Sequence, residues 1–143
     1  MTRLLLLVCV VVCAGVAGCA TTEDASGDAP RVVDAESLLF YLSDEGFQLS
    51  PVGLASVVGV PLTSGTRYRV VSPSPTTGVQ VFAYQFREQD DVERGLATLR
   101  RSGPGGSYPR RIHSRGRLAV YTVGRDAVLE RVLMRALGEP EIL

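Results

Sequence analysis

Four arginines that lie close together in the chain are the side chains best suited to bind an anion. They are Arg110, Arg111, Arg115 and Arg117. A planar guanidinium group binds carboxylate or phosphate oxygens in pairs, so an anionic ligand is favoured. Residues 94–125 contain eight arginines and no acid, whereas residues 19–66 contain seven acids and one arginine. Two interpretations stay open: the arginines contact anionic groups of another molecule, or they pair with acids of the same chain.

No combination of side chains in the sequence indicates a catalytic site. His113 and Ser114 are adjacent, and adjacent residues of a strand point to opposite faces, so they cannot act as base and nucleophile. We expect His113 to be exposed, because Ile112 takes the core-facing position by alternation. Asp90 and Asp91 fall where a helix is predicted to begin, and carboxylates there usually cap backbone N–H groups.

The composition of the chain excludes several classes of protein. It has 143 residues, with 15 basic residues against 15 acids, and every basic residue is arginine. The absence of lysine excludes phosphate-loop and Schiff-base chemistry, and the single histidine excludes a histidine metal cluster, so we expect neither cofactor nor metal. The net charge of zero argues against a nucleic-acid partner. The length allows one domain with a modest core.

The N-terminal segment has the layout of an export signal. Residues 1–3 (MTR) are positively charged, residues 4–12 (LLLLVCVVV) are apolar, and small residues follow. This order is typical of a secretory signal peptide. Residues 4–20 are fewer than the roughly twenty apolar residues that a membrane-spanning helix needs. An uncleaved membrane anchor is the alternative interpretation.

The residues that end at Cys19 resemble the lipobox of bacterial lipoproteins. Residues 16–19 (VAGC) supply its aliphatic residue, its two small residues and its cysteine. The resemblance implies that residues 1–18 are cleaved as a lipoprotein signal peptide. It also implies that the Cys19 thiolate takes a diacylglyceryl group and that the new amino terminus is acylated, as with palmitate. Two or three acyl chains make membrane attachment stable. Cys9 and Cys13 would leave with the leader, so the mature chain would have no thiol.

The rest of the chain is predicted to be a short tether followed by one folded domain. Residues 19–30 are small, polar and acidic, which is typical of a flexible linker. Residues 31–143 are predicted to form a single α+β domain in the order α-β-β-β-α-β-β-α. We expect a two-layer sandwich, with an antiparallel sheet of about five strands and three helices on one face of it.

Particular elements follow from local patterns. Asp34 and Asp126 are predicted to cap the first and last helices, and Asp90 the second. Residues 56–62 are predicted to form a weak strand, preceded by a turn at Pro51. Further strands are predicted at residues 66–71 and 79–86, and a hairpin at residues 110–123. We expect residues 140–143 to fray.

The domain is similar to a group of small uncharacterised bacterial lipoproteins. The resemblance lies in residues 46–47 (GF), 78–84 (GVQVFAY) and 115–124 (RGRLAVYTVG), followed by a last helix that ends Leu137-Gly138. In that group a hairpin with a Gly-Arg-Leu turn leads into the final helix. The resemblance implies the fold and an envelope location, and it implies no reaction.

Together these observations predict a membrane-anchored lipoprotein on the extracytoplasmic side of a bacterial cell envelope. Its domain is expected to be a non-catalytic interaction or ligand-binding module. Its expected partners are the membrane, through the N-terminal lipid, and an anionic envelope component or protein at the arginine-rich hairpin. The alternative is an envelope hydrolase acting on a cell-wall or lipid substrate, which would need a cleft with at least two converging polar groups.

Overall fold

An antiparallel sheet of six strands forms the centre of the fold. The computed structural model describes residues 31–72, 79–103 and 107–143. The strands are ordered β1-β2-β3-β5-β4-β6 across the sheet. The elements along the chain are α1 (Ala35–Asp44), β1 (Gln48–Leu54), β2 (Leu62–Val71), β3 (Gln80–Phe86), α2 (Gln89–Ser102), β4 (Arg110–Arg115), β5 (Leu118–Val123), α3 (Ala127–Leu137) and β6 (Glu141–Ile142). The α+β class and the predicted order of elements are confirmed, with a short sixth strand added.

The helices cover both faces of the sheet, so the expected two layers with all helices on one face need correction. Helices α1 and α3 share a buried cluster with Val81 and Val120, whereas α2 shares a second cluster with Phe82 and Tyr121. Successive strand residues point to opposite faces, so β3 and β5 are apolar on both sides and need cover on both. We call the two sides of the sheet the α1/α3 face and the α2 face.

The predicted aspartate caps of the first and last helices are confirmed. The Asp34 carboxylate accepts a hydrogen bond from the Ser37 amide at 2.8 Å, and this bond lowers the pKa of Asp34. The Asp126 carboxylate accepts from the amides of Val128 and Leu129 at 2.9 and 3.0 Å. Both carboxylates satisfy amides that lack a partner within the helix.

Replacing Asp126 with alanine is expected to lower the free energy of unfolding by about 1–2 kcal/mol, because two amides at the start of α3 lose their acceptor. Urea denaturation of the purified protein measures this change. Asp126→Asn is the matched control, since an asparagine oxygen can accept the same bonds and should retain most of the stability. Equal losses in both variants would contradict a capping role.

The predicted cap of the second helix is wrong. Helix α2 follows Glu88, whose side chain forms no capping bond, and it already includes Asp90. Asp91 is buried and pairs instead with Arg94 one turn later. The helix begins early because residues 89–102 pack a buried stripe against β3 and β5, and this packing outweighs the local capping preference.

The segment between α1 and β2 departs most from the sequence prediction. Strand β1 includes Pro51, where the sequence predicts a turn. Proline is tolerated because β1 is an edge strand and its register shifts just after Pro51. The predicted strand at residues 56–62 is mainly a connection, in which Gly59 has a φ of +71°.

The predicted fraying of residues 140–143 is also wrong. Strand β6 pairs with β4, and the Leu143 amide donates to the Arg110 carbonyl at 3.1 Å. The Arg100 Nε lies 2.8 and 2.9 Å from the two carboxylate oxygens of Glu141. The C-terminus is held because β6 forms backbone hydrogen bonds with the outer edge of β4.

Candidate functional site

The four arginines of the predicted anion site lie on the β4–β5 hairpin. Arg115 pairs with Leu118 across the strands, so the loop consists of Gly116 and Arg117. Gly116 has a φ of +55°, and no described non-glycine residue has a positive φ. A positive φ at Gly116 and a negative φ at Arg117 match a type II′ turn, which favours glycine at its first central position. The hairpin is therefore tight, and alternation along β4 decides where its side chains point.

Two of these arginines point to the α1/α3 face and contact α3. Arg111 Nη1 lies 2.7 Å from Glu130 Oε1, with the two side chains 15% and 26% exposed. Arg115 Nη1 donates to the Ala136 carbonyl at 2.8 Å, in the last turn of α3. A cation in that position also interacts favourably with the helix dipole. Arg111 and Arg115 thus hold α3 against the sheet.

The other two arginines lie on different parts of the surface. Arg110 is half-buried on the α2 face and hydrogen-bonds Tyr121. Burial raises the pKa of Tyr121, and the Arg110 guanidinium opposes that rise. Arg117 is exposed at the turn, and its Nη1 donates to the Arg87 carbonyl at 2.7 Å. The four guanidinium groups therefore do not converge on one surface, and each contacts groups of the protein itself.

His113 is buried, and the prediction that it is exposed is wrong. Its side chain is 0% exposed and faces the α1/α3 side, opposite Val120. Ile112 is also buried, on the α2 face. The prediction assumed that β4 has one solvent-facing side, whereas helices cover both faces of this part of the sheet.

The hydrogen bond of His113 defines which ring nitrogen carries a proton. Nδ1 lies 3.0 Å from the Gly138 carbonyl oxygen, so this nitrogen must carry the proton and donate it. Nε2 is buried without a hydrogen-bond partner among the described residues. Burial lowers the pKa of His113, against the opposing effect of the Gly138 bond. The ring is therefore a neutral link between β4 and the end of α3.

Three polar side chains of β4 join this strand to α3 or to the residue that follows it. Arg111, His113 and Arg115 alternate along β4, and all three contact α3 or the residue after it. The missed sequence signal was the Arg-x-His-x-Arg spacing, which places three polar groups on one face of a strand.

Comparison with known protein families, characterised proteins and solved structures found no match.

Cys19 and the predicted leader and tether lie outside the described residues. Among the helices that the structure describes, none is both long and apolar enough to cross a bilayer. The described ranges also contain no group of three or more His, Cys, Asp or Glu side chains arranged to hold a metal ion.

Proposed function

We propose that this chain is a lipid-anchored lipoprotein of a bacterial cell envelope, with its folded domain held on the extracytoplasmic side of the membrane. The single observation that carries the proposal is the sequence of residues 16–19 (VAGC) directly after an apolar run. The thiolate of Cys19 is the nucleophile to which the diacylglyceryl group is transferred. Acyl chains then anchor the chain by burial of their methylene groups.

The composition of the domain supports export without disulfide bonds. Residues 31–143 contain no cysteine. Two apolar clusters, one on each face of the sheet, bury the helices against β3 and β5. A core on both faces compensates for the disulfides that small exported domains often need.

The start of the folded region sets the distance between domain and membrane. Val32 is already buried in the α1/α3 cluster. The predicted tether, residues 19–30, ends two residues before Val32, and as a flexible chain its eleven residues after Cys19 have a mean end-to-end distance of roughly 17–20 Å. On this proposal the domain stays close to the bilayer surface and can meet its headgroups or neighbouring envelope proteins.

The contacts of the polar side chains favour an interaction or ligand-binding module over the alternative of an envelope hydrolase. The His113 ring is enclosed and bonded to the Gly138 carbonyl. Arg111 and Arg115 are engaged with α3. These groups stabilise the fold and are not directed toward a cleft where they could act on a substrate.

The test of the anchor is to replace Cys19 with serine and follow lipid attachment in a bacterial host. Cys19→Ser is expected to abolish incorporation of radiolabelled palmitate, because the hydroxyl cannot replace the thiolate nucleophile. Cys13→Ser is the matched control within the same apolar leader, and it should leave labelling unchanged. Intact mass measurement of the wild-type protein should show an acylated chain beginning at Cys19. An unacylated wild-type chain that retains its leader would contradict the proposal.

A further inference from the structure

An open polar surface lies on the α2 face of the sheet, beside the part that α2 covers. Arg67 and Arg69 of β2 pair with Phe82 and Gln80 of β3. Directly paired residues share a face, and Phe82 belongs to the cluster under α2. Arg67, Arg69 and Gln80 are nevertheless exposed, because they lie outside the area that the helix buries.

The two arginines are held in different ways on this surface. The Arg67 guanidinium lies against Gly53 of β1, where an added Cβ would come within 3.4 Å of its Nη2. Arg69 lies between its two strand partners, Ser50 and Gln80. Within the described part of the chain, neither arginine forms an ion pair.

The charge around these arginines is unbalanced. Strands β1, β2 and β3 contain no acidic residue, and the chain has no acid anywhere between Glu45 and Glu88. A guanidinium with no neighbouring carboxylate keeps its full attraction for an external anion. Arg67 Nη2 donates to the Val52 carbonyl oxygen at 3.5 Å, whereas Arg111 of the β4–β5 hairpin pairs with the Glu130 carboxylate at 2.7 Å.

A cavity of about 460 Å³ lies at the same place and is lined in part by Arg67, Arg69, Gln80 and Val52. The side chains of Arg67, Arg69 and Gln80 offer several N–H donors at this cavity, whose lining also includes Tyr68, Val70 and Val79. Residues 67 and 69 are two positions apart on one strand, a spacing of roughly 7 Å. That separation allows two guanidinium groups to approach one tetrahedral oxyanion from two sides.

We propose that Arg67, Arg69 and Gln80 form a binding site for a phosphate group on the open face of β1, β2 and β3. The two guanidinium groups bind the phosphate oxygens in pairs, and the Gln80 amide donates a further hydrogen bond. The phosphate belongs either to a lipid headgroup or to a soluble phosphate compound. The site does not depend on acylation of Cys19, so the two proposals can fail separately.

The experiment measures binding to the full chain in a neutral detergent by calorimetric titration. One arm uses inorganic phosphate, and the other uses short-chain phosphatidylglycerol with short-chain phosphatidylcholine as the zwitterionic reference. The test variant is R67Q/R69Q. The matched control is R101Q/R125Q, which removes the same charge from two exposed arginines elsewhere.

We expect saturable binding by the wild-type protein, with about tenfold or greater weakening in R67Q/R69Q and little change in R101Q/R125Q. Binding of inorganic phosphate with this pattern supports a soluble ligand. The same pattern with phosphatidylglycerol alone supports a lipid headgroup. No saturable binding in either arm, or equal weakening in the two double variants, overturns the proposal. Circular dichroism first checks that each variant folds. If the double variant does not fold, R69Q alone is tested, and it should also bind more weakly than the wild-type protein.

Discussion

Replacing Gly95 with alanine is expected to destabilise the domain by about 2 kcal/mol, because the added methyl group overpacks the core beneath α2. A Cβ at Gly95 would lie 2.1 Å from Phe86 Cε1 and 2.3 Å from its Cζ. Phe86 is completely buried, so its ring cannot move aside into solvent. Helix propensity alone predicts the opposite sign, since alanine is favoured over glycine by about 1 kcal/mol within a helix.

Urea denaturation of wild type, Gly95→Ala, Phe86→Leu and the double variant measures this coupling. The smaller leucine should relieve the clash, so the double variant should be more stable than the sum of the two single changes predicts. If the Gly95→Ala protein is more stable than wild type, the prediction is wrong, and α2 can shift away from β3 without loss of stability.

Lowering the pH below about 6.5 is expected to destabilise the domain through His113. Burial lowers the pKa of His113 from its ordinary value of 6.5, with Arg111 acting in the same direction and Gly138, Glu130 and Glu139 opposing. The unfolded chain therefore takes up a proton at a higher pH than the folded protein does. Stability is fully present above pH 6.5 and falls as the pH drops toward the lower pKa of the folded state.

His113→Asn isolates this effect, because its amide can still donate to the Gly138 carbonyl but does not titrate. The free energy of unfolding of both proteins is measured between pH 8 and pH 5, a range that excludes titration of Asp34, whose pKa lies below 3.8. The wild-type protein should lose more stability than His113→Asn over this range. Parallel curves would show that the buried ring does not control the acid sensitivity.

The predictions that succeeded from sequence rest on interactions between near neighbours in the chain. Asp34 and Asp126 cap their helices because the amides they satisfy lie only two or three residues away. The strand predicted at residues 79–86 follows from its own run of apolar residues, and β3 occupies Gln80–Phe86. The hairpin turn depends on Gly116, whose conformation is a local property.

The failures have one physical cause, which is packing between distant segments. Residues 48–54 form a strand despite Pro51 because β2 supplies backbone partners for one of their edges. His113 is buried because α3 returns across β4 and ends with a carbonyl beside its ring. Helix α2 lies on the opposite face from α1 and α3 because its buried residues pack against Phe82 and Tyr121, which point to that face.

Local patterns are enough to predict the class of fold, the order of its elements and a lipid anchor at Cys19, since these depend on periodicity and on short motifs. The surroundings of each arginine depend on packing between distant elements. Alternation and helix packing direct Arg111 and Arg115 into contacts with α3. Arg67 and Arg69 remain exposed, and among the residues that the structure describes they form no ion pair. The sequence gives the number and order of the charged residues. Which groups each charged side chain contacts depends on elements that come together only when the chain folds.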